Sequence, residues 1–405
     1  MIWCVWAPAA FVGGKLFAPL IFLGAMFSGP GVIPSLRHRL RADVVLVVLF
    51  LLWLTISAWW SPADTSLVTG SLSGGNFSVD APQIRFGLTI LAAGVLLVGA
   101  LAWTEPERSV LTYVLAGSVV FLLLGLLVIT PLRETIIENR GAGLLPSAQS
   151  VGRAVNLLAL SIPLALGVIY GRLQRKTALT VCGLVLILFA VVGLRMGGAA
   201  ALIGVVVGFG VLAIFWLMPK DGFTRLFDLL AVTVFTAPFL VWGGISLFSG
   251  FGGSLPVSAH QRLLIWEATN QRISEKPFFG HGADASTAWH QTFAEAPEWL
   301  ALMPDNFDLV RIIPGHPHNM ALQVWAETGM IGAALLAGAF ALLGRRLPPP
   351  SELGDVTRIA AAGVFGVGVT LFFVSYSAWD ESFWAALAIC VAAVISFEKL
   401  NKRAT

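Results

Sequence analysis

Apolar runs of membrane-spanning length follow one another along this chain, at residues 11–33, 43–60, 83–103, 109–130, 151–170, 177–194, 198–218, 226–248, 319–343, 359–378 and 384–397. A helix rises about 1.5 Å per residue, so about 20 predominantly apolar residues cross the roughly 30 Å hydrocarbon core. The pattern predicts an all-α polytopic membrane protein with about 11–12 transmembrane helices. The count is eleven or twelve because residues 1–10 are themselves apolar, with Pro8 and the Gly13-Gly14-Lys15 break between them and the main run. Composition agrees: 57% of the 405 residues are hydrophobic and 12% are charged, about half the charged fraction of a soluble protein. A net charge of +3 on so apolar a chain gives no footprint for nucleic acid. Cys4, Cys182 and Cys390 each sit in apolar sequence and read as small hydrophobes. No basic segment precedes Met1–Ala10, so no cleaved secretory signal is expected.

Basic residues orient the chain. One set of connections holds Arg37, Arg39, Arg41, Arg108, Arg172, Arg175, Lys176, Lys220, Arg225, Arg345, Arg346, Arg358, Lys399, Lys402 and Arg403. The opposite set spreads fewer over much more loop sequence, so the first set is expected inside and the C-terminus with it. One connection stands out, from Ser249 to Pro317 on the outer side, dividing the chain into an N-terminal bundle (1–248), a long loop (249–318) and C-terminal helices (319–405) within one membrane domain. Connections much beyond about 15 residues are usually functional or disordered, and Trp266, Phe278, Phe279, Trp289, Phe293 and Trp299 make this one too aromatic for disorder. Leu263, Ile265, Trp266, Thr269 and Ile273 outline an amphipathic helix in it, and Pro277–Gly282 turns the chain.

Outer-side arginines form the first chemical constellation. Arg195 lies in the short Leu194–Gly198 turn, where a cation costs at least about 2.5 kcal/mol and usually faces a cavity or a partner; a snorkelling interface anchor is the alternative. Arg262 opens the loop helix, and Arg140 and Arg153 flank the entry to the 151–170 span. Four histidines, His281, His290, His316 and His318, fall in the loop. Extended geometry puts the His316 and His318 rings on opposite sides of the chain, no cysteine is near, and no metal site is expected. His318 stands at the mouth of a helix on which Asn319, Gln323 and Glu327 form one polar stripe, suited either to substrate or to hydrogen bonds between helices. Asp64 and Asp380, in other outer loops, are rival acid–base candidates to His318.

His318-Asn319, then Glu327-Thr328-Gly329 and Gly332, resemble the signature of the bacterial O-antigen ligase and O-antigen polymerase superfamily. Arg262–Trp266 followed by Lys276-Pro277-Phe278-Phe279-Gly280-His281-Gly282 is similar to that family's loop pattern of an arginine, a tryptophan and a Pro-x-x-Gly-x-Gly turn. Trp59–Asp64 resembles its first outer loop, and Arg140–Asn156 the entry to its fifth span. Leu194 departs from the family, which more often has serine before the arginine at position 195.

The resemblance implies a GT-C-like fold and an inverting glycosyltransferase that needs no cofactor. It would move a glycan from undecaprenyl diphosphate to an acceptor hydroxyl, with the active site facing the periplasm from a bacterial inner membrane. Its partners would be the lipid-linked donor, a lipid A core or glycan acceptor, and membrane lipids. A leaving diphosphate must have its charge stabilised, and arginine forks match phosphate oxygens. Arg195 and Arg262 are the expected phosphate ligands and His318 the expected base. Arg140, Arg153, Asn319, Glu327, Asp64 and Asp380 are expected to bind substrate. A ligase acceptor is the leading expectation, with polymerase or protein glycosylation as alternatives; a secondary transporter or a non-catalytic membrane subunit would be readings of another class.

Overall fold

A computed structural model describes residues 5–11, 16–32, 42–64, 81–102, 117, 119–120, 122–127, 148–248, 257–304 and 307–402. Arg140 and most of the expected 109–130 span lie outside the described residues. The elements are α1 (Trp6–Phe11), α2 (Phe17–Val32), α3 (Ala42–Ser57), α4 (Pro82–Ala102), α5 (Ala148–Arg172), α6 (Arg175–Arg195), α7 (Ala199–Leu217), α8 (Gly222–Phe248), α9 (Val257–Glu275), α10 (Met320–Gly344), α11 (Asp355–Val374) and α12 (Glu381–Lys402). Nine helices among the described residues, α3 to α8 and α10 to α12, are long and apolar enough to cross a membrane. This is an all-α polytopic membrane protein. The apolar residues ahead of the first run form the short α1, separate from α2, which is itself shorter than the spanning helices.

Burial separates the middle of the bundle from its rim. In α5, 83% of the spanning residues are buried, whereas in α3 only 17% are, and Val48, Leu49 and Leu52 turn outward. Apolar side chains facing lipid are as stable as buried ones, so low burial at the rim carries no penalty. α11 packs between α5 and α7, crossing α7 where the backbones of Gly208 and Gly366 touch. α11 ends at Val374, four residues before the apolar run does. Its apolar tail instead forms a turn, closed by Asp380, whose Oδ1 accepts from the Ser382 and Phe383 amides at 2.9 and 3.2 Å and caps α12.

The long connection is folded. α9 lies against α8 and α10 and buries Leu264, Ile265, Ala268, Thr269 and Ile273. Two single 3-10 turns and a helical turn at Pro297–Leu300 follow, held by a bridge between Thr292 and Arg311 over a small core that includes Trp289, Phe293, Ile312 and Ile313.

α10 is broken, and the loop fills the break. Gly329 has φ 66° and ψ −169° in mid-helix. Across it the helix exchanges its own hydrogen bonds for loop partners: the His281 amide donates to Ala326 O and that of Gly282 to Glu327 O, both at 2.8 Å, while the Met330 amide donates to Pro277 O at 2.9 Å. The Trp53 indole donates to Thr328 O at 2.8 Å. The fit admits no side chain, because a Cβ on Gly329 would stand 2.2 Å from Phe278 O and one on Gly280 2.5 Å from Glu327 O. Glu327-Thr328-Gly329 and Pro277–Gly282 are thus two halves of one joint.

Candidate active site

The starts of α5, α7, α10 and α12 and the ends of α6 and α11 lie at the same end of the bundle as α9 and the folded loop. Two side chains from the loop grip the end of α11. Arg262, in the second turn of α9, donates from Nε to Val374 O at 3.2 Å and from Nη1 to Ser258 O at 3.1 Å. His318 Nδ1 meets Ser375 O at 2.9 Å. These carbonyls lie at the negative end of the α11 dipole, which favours cations and N–H donors. Arg262 is half-buried, and desolvation lowers its pKa; the guanidinium still stays charged.

A carbonyl can only accept, so His318 Nδ1 carries the proton and Nε2 keeps its lone pair whenever the ring is neutral. Burial lowers the His318 pKa from 6.5, the Ser375 hydrogen bond opposes this, and the charge of Arg262 lowers it further. His318 has φ 52°, the left-handed region, which costs about 1–3 kcal/mol and is met mainly at functional sites. That turn overturns the extended geometry expected for His316-Pro317-His318. The two rings lie on the same side, with centroids 4.2 Å apart, and the His318 amide donates to His316 Nδ1 at 3.1 Å. Burial, then the charges of His318 and Arg153, push the His316 pKa down to about 3. The Trp266 indole fixes the segment by donating to Pro317 O at 3.1 Å.

Arg153, exposed in the first turns of α5, lies close enough to act electrostatically on His316, Tyr376 and Asp380. Ser375 and Tyr376, in the turn after α11, carry no sequence motif. Asn156 donates to Ser375 Oγ at 3.0 Å, and the buried Tyr376 hydroxyl makes no hydrogen bond of good geometry among the described residues. Desolvation raises the Asp380 pKa while Arg153 pulls it down, and its Oδ1 is already committed to the α12 cap. Arg195 is exposed at the end of α6, without a hydrogen bond or ion pair among the described residues. Its turn nevertheless abuts α5 two residues beyond Arg153: a Cβ on Gly198 would stand 2.5 Å from Val155 Cγ1.

The polar stripe of α10 points into protein. Asn319 Oδ1 caps the helix, accepting from the Leu322 amide at 3.1 Å. Gln323 Oε1 accepts from the Ala378 amide at 2.8 Å and from Ser377 Oγ at 3.2 Å. The fully buried Glu327 receives four donors: Ser286 Oγ, the Trp379 indole and the Asp284 amide at 2.6 Å each, and Gln323 Nε2 at 3.0 Å. That saturates the carboxylate, and it ties α10 to the loop and to the α11–α12 turn. Asp64 is exposed beyond α3 on the Ala283 side, where Ser61 Oγ donates to Ala283 O at 2.6 Å. The structure therefore brings together Arg262, His318 and Arg153, with the Arg195 turn beside them. Asn319 and Glu327 support that site from behind, Asp380 edges it, and Asp64 lies apart.

Known proteins agree with the resemblance drawn from the motifs. A family model described as O-antigen ligase matches residues 164–337. A Rickettsia bellii (strain RML369-C) protein, provisionally named a polysaccharide ligase, is 30% identical over 137 residues, 34% of this chain and 31% of that protein. A protein of the same provisional name from Rickettsia conorii (strain ATCC VR-613 / Malish 7) is 28% identical over 135 residues, 32% of this chain and 31% of that protein. The match spans about a third of the length of these curated relatives. No solved structure matches the chain.

Proposed function

We propose, from the premise that residues 164–337 are an O-antigen ligase family region, that this chain is a glycosyltransferase acting at the outer face of a bacterial inner membrane. It moves a glycan from undecaprenyl diphosphate to an acceptor hydroxyl, with lipid A core as the leading acceptor. The observation that carries this reading is the pairing of a neutral imidazole with a fixed guanidinium on one helix end: His318 and Arg262 hold Ser375 O and Val374 O.

The chemistry follows from those two groups. His318 Nε2 takes the proton of the acceptor hydroxyl. The freed oxygen attacks the anomeric carbon, and the bond from that carbon to the diphosphate oxygen breaks on the opposite face, giving inversion. The electron pair leaves with the diphosphate, whose growing charge falls to the Arg262 N–H groups not spent on backbone and to Arg153 and Arg195. Cation forks suit this because each can contact two phosphate oxygens at once. A transporter would need its intramembrane polar stripe open to substrate, whereas Gln323 and Glu327 are closed by internal hydrogen bonds.

The test is transfer in proteoliposomes containing the purified protein, lipid-linked glycan and lipid A core. The expected result is glycan on the core with release of undecaprenyl diphosphate. Movement of donor across the bilayer without transfer would overturn the reading. Accumulation of polymerised lipid-linked glycan in a deletion strain supports the ligase acceptor, and accumulation of single repeats replaces it with a polymerase.

A further inference from the structure

A cavity opens on the loop away from His318. It has a volume of about 120 Å³ and is lined by Ala268, Gln271, Arg272, Glu275, Trp289, Gln291, Ile312 and Ile313. That is well above the roughly 10–15 Å³ one water needs, so a larger group fits. Its floor is apolar, from Ala268 and the two isoleucines, and its rim is polar. Arg272 is held in place there, 5.8 Å over the Trp289 ring and 3.3 Å from both oxygens of Glu275. The Gln271 and Gln291 side chains are exposed and make no hydrogen bond among the described residues.

The lining selects a chemical class. An anion such as phosphate would meet the Glu275 carboxylate, and an apolar ligand would cover the Gln271 and Gln291 amides without pairing them. A pyranose suits both parts, because its C–H surface matches the floor and each hydroxyl both donates and accepts, as a rim of amides, a carboxylate and a guanidinium requires.

Position gives it a role. α9 carries Arg262 near one end and Gln271 nine residues on, a separation of about 14 Å along the helix. The floor residues Ile312 and Ile313 run directly into Pro314–His318. Both walls of the cavity are thus continuous with the elements that hold Arg262 and His318. We infer that this cavity is a saccharide subsite that holds a sugar several units from the reacting end of the glycan. The inference rests on the glycosyltransferase reading.

The test is the double variant Gln271→Ala/Gln291→Ala, whose side chains make no hydrogen bond among the described residues. With a long-glycan lipid-linked donor, KM should rise about tenfold at unchanged kcat, and with a donor carrying one sugar nothing should change. Unchanged KM for the long donor would overturn the subsite while leaving the glycosyltransferase reading intact. Binding of lipid-free oligosaccharide, released by mild acid from the host's lipid-linked glycan, to the protein in nanodiscs supplies a readout independent of transfer. Weaker binding by the double variant supports the subsite even if transfer fails, and equal binding by both proteins overturns it.

Discussion

Arg262 and His318, from opposite ends of the long loop, hold neighbouring carbonyls at the end of α11, Val374 O at 3.2 Å and Ser375 O at 2.9 Å. One helix end therefore sets the spacing between the cation and the base, although 56 positions separate them in the chain. In the proposed reaction Arg262 has two duties, orienting the site and meeting the leaving group. Arg262→Ala should abolish transfer with the protein still inserted. Arg262→Lys should recover little, since one ammonium cannot hold Val374 O and Ser258 O and also reach phosphate. Purified variants assayed at matched expression would show this, and near-normal turnover by the lysine variant would contradict it.

Activity should tolerate mild acid. The His318 pKa is below 6.5, so its base form persists through neutrality, and kcat/KM should fall only below pH 6.5. The stability effect has the same sign. A histidine kept neutral in the fold is protonated more readily when unfolded, so its contribution is complete above about 6.5 and is lost as pH falls, for His316 toward about 3. An acid limb of kcat/KM centred above pH 7 would be inconsistent with a neutral buried His318.

Glu327→Gln is expected to damage the fold before the chemistry. One amide oxygen cannot accept from Ser286, Trp379, Gln323 and the Asp284 amide together, and each donor left buried and unpaired costs about 1–3 kcal/mol. Thermal unfolding in detergent should shift down markedly, with transfer lost in proportion to folded protein. A fully stable but inactive variant would instead give Glu327 a direct role.

Gly329→Ala should be equally disruptive, through geometry alone. Its Cβ would stand 2.2 Å from Phe278 O at a φ of 66°. Gel filtration of the detergent-solubilised variant should show aggregation, and a monodisperse, active protein would refute the interlock.

These residues also mark what could be read from sequence. Helix positions were legible because apolar runs are a local signal, and so was the place of His318 just ahead of α10, where a loop meets a helix. The end of α11 was misplaced because its apolar tail is drawn into a turn by the Asp380 cap. The saturation of Glu327 was hidden because three of its donors come from Asp284, Ser286 and Trp379, distant in sequence. The approach of His316 to His318 depends on one positive φ, which spacing does not encode. Tyr376 gave no signal, and Asn156 appeared only as the last residue of the Arg140–Asn156 stretch, since each matters through its place beside Ser375.

The most direct measurement is turnover of His318→Asn in the purified transfer assay, beside Asp64→Asn and Asp380→Asn. Asparagine tolerates the left-handed backbone at this position but cannot take up a proton. The predicted result is a loss of about 10²–10⁴ in kcat with the donor still bound, while Asp64→Asn stays near wild type. A His318→Asn enzyme within a few fold of wild type would contradict the assignment of the base.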